Sequence, residues 1–287
     1  MRIVGLSVVK NEDDVIEAMV RHNLQVLDHL HIVDNGSTDR TRSILEALQQ
    51  DGLAVTYEVN DALQHIQASV LSDLVNGPYA QDHVALLDSD EFLMCTAREL
   101  ADLFAHAVGP VTIPWVTYVP RPDDPLDDLN PLTRITHRRR REKPQYFKVL
   151  IPACVPRPVE VMAGSHGLRK MNSEVHPIVK LAHFPVRTPL QIAGKVLIGS
   201  WNMSLRDRSR KEGYQWHALA EQIKAEGLPN LDTLEAIGNT YAAKGPVRLV
   251  HEPLRTEVTR LHHTRSSGDQ FIMNLAGFVD RMILEKG

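Results

Sequence analysis

Residues 84–93, VALLDSDEFL, place three acidic side chains directly after an apolar run. Asp88 and Asp90 are separated only by Ser89, and Glu91 follows at once. Carboxylates this close repel one another and raise one another's pKa values unless a cation or hydrogen-bond donors lie between them. A pair of carboxylates at a strand end can bind one divalent ion, and Mg²⁺ and Mn²⁺ prefer such oxygen ligands. Because the apolar run has the pattern of a buried strand, we interpret the motif as a metal site rather than a solvated turn.

Two further polar motifs follow apolar runs in the same way. In IVDNGSTD, Asp34 ends a predicted strand and offers an acceptor for a base N–H or a ribose hydroxyl. The Asn-Gly pair after it predicts a tight turn, and Ser37 or Thr38 is placed to cap the next helix. In VVKNEDDVI, Asn11 is placed to cap the helix that follows the first strand.

The elements that must position these motifs alternate between strands and helices over the first 117 residues. Strands are predicted over 2–9, 29–34, 53–59, 83–88 and 110–119, and one of the helices between them runs from 62 to 74. Four or five βα units predict an α/β fold with a doubly wound, mostly parallel sheet. Ligands of such sheets bind at the carboxyl ends of the strands. We therefore expect one rim to hold Lys10, Asn11, Glu12, Asp34, Asn35, Asp88, Ser89 and Asp90.

The alternation stops after residue 119. A Pro- and Asp-rich loop is predicted over 120–131, a strand over 147–155, and a mainly helical, polar region over 189–287. The basic run THRRRREK at 136–143 favours a solvated loop, with binding of an anionic acceptor or of anionic lipid as the alternatives. Trp115 at the end of the fifth strand favours core packing over stacking on an acceptor sugar.

Composition narrows the class of protein. The chain has 287 residues, a formal net charge of -4 and a sequence pI of about 6.4, which does not indicate nucleic-acid binding. Its two cysteines, Cys95 and Cys154, lack the spacing of a zinc site. No signal peptide and no run of roughly 18 apolar residues is present, so we expect a cytoplasmic protein without a transmembrane segment. A homo-oligomer is left open.

Taken together, VVKNEDDVI, IVDNGSTDRT and LLDSDEFL resemble family 2-like glycosyltransferases of the GT-A fold. The resemblance is to the branch whose metal motif reads D-x-D-E-F. FKVLIP, GSHG and AHFPVRTPLQIAGKV are similar to the Lys, first His and HYPxRS–K elements of that branch, with Phe184 and Thr188 as mild departures. The matched motifs span residues 4–196. We accordingly expect a catalytic domain over 1–196 and a helical extension over 197–287 that completes the acceptor side.

The resemblance implies a site for a nucleotide-diphosphate sugar, with UDP as the default nucleotide, and inverting transfer to an unknown hydroxyl acceptor. Asn11 and Glu12 would lie near the base, and Asp34 would contact base or ribose. Asp88 would lie near ribose or metal, and Asp90 would be a principal ligand of Mn²⁺ or Mg²⁺. The complete nucleotide-sugar set is Lys10, Asn11, Glu12, Asp34, Asn35, Asp88, Arg187 and Lys195.

The remaining site residues have open alternatives. His183 would be a further metal ligand, with His166 in its place as the alternative, and Arg187 and Lys195 would bind the diphosphate. Candidates for the general base of an inverting transfer are Glu91, Asp123, Asp124 and Glu174, and Glu91 could instead support the metal ligands.

Three other classes of protein compete with this interpretation. A sugar nucleotidyltransferase would have a Gly-rich, Arg-containing loop after the first strand, where this chain has KNEDD. A haloacid-dehalogenase-type phosphatase would have its Asp-x-Asp motif on the first strand. A glycosyltransferase-like binding module without catalysis stays possible, because fold alone does not fix function.

Overall fold

The computed structural model describes residues 1–60, 67–204 and 214–265. Its strands are β1 (Ile3–Val9), β2 (His29–Asp34), β3 (Val55–Val59), β4 (His83–Leu86), β5 (Glu91–Met94), β6 (Val111–Thr117), β7 (His137–Arg139), β8 (Phe147–Ile151), β9 (Glu174–Val175), β10 (Lys180–His183) and β11 (Leu249–His251). Its helices are α1 (Ile16–Asn23), α2 (Thr41–Gln50), α3 (Gln67–Asn76), α4 (Ala97–His106), α5 (Pro131–Arg134), α6 (Pro189–Ser204), α7 (Tyr214–Glu226) and α8 (Leu231–Thr240). The start of the helix predicted over 62–74 lies outside the described residues.

One large sheet forms the core of the fold, in the strand order β3-β2-β1-β4-β8-β6-β10-β5. The pairs β1–β2, β2–β3, β1–β4 and β6–β10 are parallel, whereas β8 and β5 are antiparallel to their neighbours. β9 pairs with β6, and β7 and β11 make a separate ribbon. The predicted α/β fold with a mostly parallel sheet is confirmed.

The strands form where apolar residues can be buried on both faces of the sheet. One hydrophobic cluster includes Leu30, Ile32 and Leu45. A second cluster, which has no side chain in common with the first, includes Leu6 and Val84. Near-continuous apolar runs are typical of parallel strands that are covered on both faces. The sequence pattern was therefore sufficient to predict these central strands.

Two features of the sheet were not predicted. The fifth predicted strand, β6, does not lie beside β4, because β8 inserts between them in antiparallel orientation. A short strand, β5, also begins at Glu91, immediately after the Asp-Ser-Asp motif, and pairs with β10. The Asn23 side chain on α1 bonds the backbone of Glu91 and Leu93, so the outer edge of β5 is held by α1.

The predicted helix caps are wrong. α1 begins at Ile16, five residues beyond Asn11, whose φ is 56°. α2 begins at Thr41 without a side-chain cap from Ser37 or Thr38. Instead the two loops bind each other: the Asn11 backbone N–H donates to the Ser37 hydroxyl at 2.9 Å, and the Thr38 N–H donates to Asn11 Oδ1 at 2.8 Å. The polar residues of both motifs therefore fix one loop against the other.

The helices after β10 contain a third hydrophobic cluster. Its buried members are Val186, Ile192, Ala193, Val196, Ala220, Ile223 and Leu234. α6 crosses position 196, where the sequence motifs ended. No helix within the described ranges is both long enough and apolar enough to span a bilayer.

The basic run is only partly a solvated loop. Arg138 and Arg139 lie in β7, which pairs with β11. Arg139 is buried and binds Glu142 Oε2 at 2.8 Å. Arg140, Arg141 and Lys143 are exposed.

Candidate active site

The carboxyl ends of three parallel strands bring the sequence motifs to one rim of the sheet. The register places Asp34 of β2 beside Val9 of β1, and Leu6 of β1 beside Leu86 of β4. The Lys-Asn-Glu, Asp-Asn and Asp-Ser-Asp motifs each follow these strand ends. The predicted convergence of the three motifs therefore agrees with the strand register.

Arg187 links the loop after β1 to the segment after β10. Its guanidinium donates to Asp14 Oδ2 at 2.7 Å and Oδ1 at 2.8 Å, and to Glu12 Oε2 at 2.7 Å. It also lies 3.7 Å from Asp90 Oδ2. The side chain is buried, and although burial would lower its pKa, Asp14 and Glu12 raise it. Arg187 is therefore a permanent cation that neutralises several buried carboxylates.

Asp90 is surrounded by cationic and imidazole groups. Lys195 Nζ donates to Asp90 Oδ2 at 3.0 Å, and His183 Nε2 lies 3.7 Å from Asp90 Oδ1. Burial alone would raise the pKa of this carboxyl, but Lys195, His183 and Arg187 together lower it below its usual range. Asp90 is therefore ionised and able to bind a cation.

Asp88 and Glu91 share a buried lysine. Lys148 Nζ lies 2.7 Å from Asp88 Oδ2 and 3.2 Å from Glu91 Oε2, and its side chain is 0% exposed. The Asp88 backbone N–H donates to Glu91 Oε2 at 2.7 Å, and Gln67 donates to Asp88 Oδ1 at 2.6 Å. Lys148 thus supplies the positive charge that lets two neighbouring carboxylates occupy one turn.

The Glu91 carboxyl group is buried inside this turn and bonds its backbone. The residue is 0% exposed, and Glu91 Oε1 is buried without a hydrogen-bond partner among the described residues. Burial and the charges of Asp88 and Asp90 raise the pKa of Glu91 well above its usual range. A side chain in this position supports Asp88 and is shielded from an acceptor in solvent.

Asp34 is buried at the end of β2. Its Oδ1 accepts hydrogen bonds from the Ser37 N–H at 2.9 Å and from Arg42 Nε at 2.7 Å. Its Oδ2 is buried and has no partner among the described residues. A buried acceptor without a partner is costly, so Asp34 is suited to receive a donor group from a ligand. Asn35 is buried beside it and donates to the Asn60 carbonyl at 3.1 Å.

His183 has the properties of a neutral ligand. Its ring stacks on Trp115 with centroids 4.4 Å apart, and its Nδ1 is buried with no partner in the described part of the chain. Burial lowers the pKa of His183 to about 4. Two atoms that each lie about 2.1 Å from one ion are at most about 4.2 Å apart, so the 3.7 Å between His183 Nε2 and Asp90 Oδ1 fits a shared divalent ion. In the described ranges no three His, Cys, Asp or Glu side chains gather as a metal site, so water or substrate would supply other ligands.

Comparison with known families settles the class of this chain. The family model described as "Glycosyl transferase family 2" matches residues 7–161, which is more than half of the chain. The chain belongs to glycosyl transferase family 2. It is a glycosyltransferase, as the sequence motifs predicted.

Solved structures similar to this glycosyltransferase have low sequence identity. S. aureus TarS 1-349 is 12% identical, with a TM-score of 0.38, over 98% of this chain and 80% of that chain. Mannosyltransferase PcManGT from Pyrobaculum calidifontis, in complex with GDP-Man and Mn²⁺, is 17% identical, with a TM-score of 0.39, over 98% of this chain and 87% of that chain. A search of curated proteins finds no match. The family assignment rests on the family model.

Three predicted site residues of this glycosyltransferase form no hydrogen bond or ion pair with Asp90 among the described residues. Glu174 of β9 pairs with Val111 at the start of β6, whereas His183 pairs with Thr117 at its end. Six residues of strand span about 20 Å, so Glu174 lies at the opposite end of β6 from His183. His166 is exposed and its Nδ1 bonds the Phe147 carbonyl at 2.7 Å. Asp123 is exposed in the loop after β6.

Other side chains of the glycosyltransferase join the site without having been predicted as site residues. They are Asp14, Gln67, Trp115 and Lys148. Lys148 had the clearest signal, because a lysine inside an apolar strand must find an acidic partner if it is buried. The other three have no local signal, because their roles depend on contacts with distant segments.

Proposed function

We propose that this glycosyltransferase moves a sugar from a nucleotide-diphosphate sugar, with UDP as the default nucleotide, to a hydroxyl acceptor with inversion and with a divalent metal. The observation that carries the proposal is the ion-pair network in which Arg187 and Lys195 join Glu12 to Asp90. This network ties the loop after β1 and the Asp-Ser-Asp motif to α6 at one rim. Such a rim suits a ligand with both a nucleoside end and an anionic end.

The nucleoside end would lie at the loops after β1 and β2. The unpartnered Oδ2 of Asp34 would accept a base N–H or a ribose hydroxyl. Lys10, Asn11, Glu12 and Asn35 would form the surroundings of the base. Because Asn11 and Ser37 already bind each other, this part of the site is preorganised.

The metal would be held by Asp90 and His183, with Asp88 beside them. A bound Mn²⁺ or Mg²⁺ would supply Lewis-acid stabilisation of the leaving diphosphate. Lys195 is the cation closest to Asp90 and retains 23% exposure, so it can turn from Asp90 toward phosphate oxygens when the donor binds. Arg187 is fully engaged with Glu12 and Asp14 and would position Asp90 rather than contact the phosphate.

In the transfer, the acceptor oxygen would form a bond to the anomeric carbon while the bond from that carbon to the diphosphate oxygen breaks. The nucleoside diphosphate leaves with the bonding electrons, and the hydroxyl proton passes to a general base. Asp123 is the candidate for that base, because it is exposed in the loop that continues from β6 beyond Thr117. Glu91, which is buried and bonded to the Asp88 backbone, would position Asp88 instead.

Calorimetric titration with UDP, GDP and dTDP, with and without Mn²⁺, tests the donor site. We expect one of the three to bind and to bind more tightly with Mn²⁺. If none of them binds in the presence of metal, the proposal is wrong.

A second assay distinguishes the proposed enzyme from a binding module without catalysis. We expect slow, Mn²⁺-dependent hydrolysis of the donor sugar nucleotide by the wild type and its loss in Asp90→Ala. A protein that binds the nucleotide but shows equal background hydrolysis in wild type and variant would be a module of this kind.

The helical region that includes α6–α8 would complete the acceptor side.

A further inference from the structure

A basic surface is built from two segments that are far apart in the sequence. The Arg140 N–H donates to the Arg248 carbonyl at 2.9 Å, and the Lys244 N–H donates to the Lys143 carbonyl at 2.9 Å. These four residues and Arg141 are exposed, and together they are called the basic surface. The β7–β11 ribbon thus gathers five cationic side chains on one backbone framework.

Acids of the described residues do not neutralise the charges of the basic surface. Within the described residues, none of its five side chains forms an ion pair. The two acids closest along the chain have other partners: Glu142 binds Arg139 and Glu252 binds Arg138. Since the whole chain has a net charge of -4, this excess of positive charge is local. A local excess of this kind raises the concentration of anions beside it.

The basic surface lies beside the end of β6 that contacts the candidate site. The Thr117 N–H donates to Glu142 Oε1 at 2.7 Å, and Thr117 pairs with His183. On the same loop, Gln145 donates to the Trp115 carbonyl at 2.9 Å, and the Trp115 ring stacks on His183. The loop that carries Arg140, Arg141 and Lys143 is therefore one strand away from the proposed metal ligand.

A second path joins the ribbon to the site. Arg139 Nη2 donates to the Tyr241 carbonyl at 2.7 Å, and the Tyr241 ring lies 6.1 Å from the His183 ring. Lys244 follows three residues after Tyr241. The cations thus flank the site from both strands of the ribbon.

We propose that the acceptor of this glycosyltransferase is anionic and that the basic surface binds its phosphate or carboxylate groups. The proposal rests on the function proposed above and adds the class of acceptor to it. The donor diphosphate does not need these residues, because Lys195 already lies at Asp90, 3.0 Å from its Oδ2. Arg and Lys bind phosphate and carboxylate oxygens through charge-assisted hydrogen bonds.

A soluble anionic chain fits the basic surface better than a membrane does. The exposed large apolar side chains of the described residues are Met1, Val59, Val108, Leu126, Met162, Val175, Ile178 and Leu228. None of them lies in the loop 140–146 or in the segment 241–252. Interfacial binding draws on buried apolar side chains as well as on basic ones, and this surface offers only the charges.

The test measures binding of fluorescent oligo(glycerol phosphate), oligogalacturonate and a neutral oligosaccharide to protein that is saturated with UDP and Mn²⁺. Saturation keeps the probes out of the donor site. We expect one of the two anionic probes to bind and the neutral one not to bind. The anionic probe that binds identifies phosphate or carboxylate as the recognised group. Binding of the neutral probe with equal affinity would overturn the proposal, as would failure of both anionic probes to bind the wild type.

The variant for this test is Arg140→Gln/Arg141→Gln/Lys143→Gln. We expect the anionic probe to bind about tenfold or more weakly to it, with a smaller dependence on salt. The control is Arg2→Gln/Arg98→Gln/Lys180→Gln, which removes an equal number of positive charges elsewhere on the protein. Arg2 and Lys180 lie at the opposite rim of the sheet. Equal losses in both variants would overturn the proposal, because the effect would then be that of net charge.

Two further measurements separate the possible failures. UDP binding in the presence of Mn²⁺ should be unchanged within about twofold in both triple variants, since neither touches the donor site. If UDP binds but no anionic probe does, only the acceptor proposal fails. If UDP does not bind, the probes are measured with GDP or dTDP in its place, and the proposed function fails only when none of the three nucleotides binds. The second measurement is co-sedimentation of the protein with vesicles of phosphatidylcholine and phosphatidylglycerol. Binding to these vesicles without binding to a soluble anionic probe would overturn the proposal in favour of a lipid surface.

Discussion

At the residue scale, Lys148 shows how the acidic motif is tolerated in the interior. Its Nζ lies 2.7 Å from Asp88 Oδ2 and 3.2 Å from Glu91 Oε2. Burial would lower the pKa of Lys148, but the two carboxylates raise it, so the lysine is charged. The repulsion expected at the motif is therefore relieved in part by the protein itself.

Substitution Lys148→Met should destabilise the protein by about 3–5 kcal/mol, because it leaves two carboxylates without their cation in a buried site. Urea unfolding measures this loss. Adding Glu91→Gln to the variant should recover part of the stability, because Glu91, whose pKa is already raised by burial, must otherwise take up a proton when Lys148 is removed. If the double variant is no more stable than Lys148→Met alone, the proposed charge balance is wrong.

At the element scale, the loop between β1 and α1 contains Asp13, whose pKa is raised as that of Glu91 is. Asp13 is buried, and burial together with Asp39 and Asp14 raises its pKa to about 8. In an unfolded chain an aspartate has a pKa of about 3.9. The stabilisation from protonated Asp13 is therefore complete below about pH 4 and is lost as the pH rises through about 8.

Substitution Asp13→Asn should make stability less dependent on pH. Between pH 5 and pH 8 the free energy of unfolding of the wild type should fall by at least about 1.4 kcal/mol more than that of the variant. Urea unfolding at both pH values measures the difference. Asp102→Asn on the exposed face of α4 is the control and should follow the wild type. Parallel pH profiles of wild type and Asp13→Asn would contradict the assignment.

A buried glutamate of α1 binds the segment after β11. Glu17 is 0% exposed and accepts the N–H groups of His262, His263 and Thr264, each at 2.8 Å, and Arg21 Nε at 2.9 Å. Burial alone would raise the pKa of Glu17, but these donors lower it. Its stabilisation is therefore present above the unfolded pKa of about 4.3 and is lost as the pH falls through the lower folded pKa.

Substitution Glu17→Gln should cost about 2–4 kcal/mol, because an amide has one acceptor oxygen and its NH₂ group faces the backbone donors. Hydrogen exchange should become faster at the amides of 262–264, and urea unfolding should show the loss at pH 7 but less of it at pH 3. Glu46→Gln on the exposed face of α2 is the control. Unchanged exchange at 262–264 would show that Glu17 does not hold this segment.

The elements could be predicted from the sequence where their signal was local. The parallel strands β1, β2 and β3 are five to seven residues long and rich in apolar residues, and this composition predicted each strand. β5 was not predicted, because four residues after an acidic turn give no clear pattern and the strand depends on pairing with β10. The helix caps were wrong for the same reason: Asn11 and Ser37 bind across two loops, 26 positions apart. In the candidate site, Asp88, Asp90 and His183 are proposed from motifs, whereas the burial of Lys148 and Glu91 depends on tertiary packing.

At the scale of the whole molecule, the sheet and the helices after β10 have separate hydrophobic clusters. Polar contacts join them: Arg187 binds Glu12 and Asp14, Lys195 binds Asp90, and Arg121 binds Glu235. The first two links are also the proposed donor site. Donor binding and the attachment of α6–α8 are therefore expected to depend on the same side chains.

Substitution Arg187→Met should weaken this attachment, because it leaves Glu12 and Asp14 buried without their cation, at a cost of about 3–5 kcal/mol. Limited proteolysis followed by mass spectrometry should show cleavage in 189–240 before cleavage of the sheet. The matched control is Arg121→Met, which breaks the Arg121–Glu235 pair, where the side chains are 34% and 24% exposed. A pair this accessible contributes about 1 kcal/mol or less, so its loss should leave the cleavage pattern unchanged. If Arg187→Met is cleaved at the same sites and rates as Arg121→Met, the ion pairs do not attach the helices to the sheet. The third hydrophobic cluster would then be what attaches them.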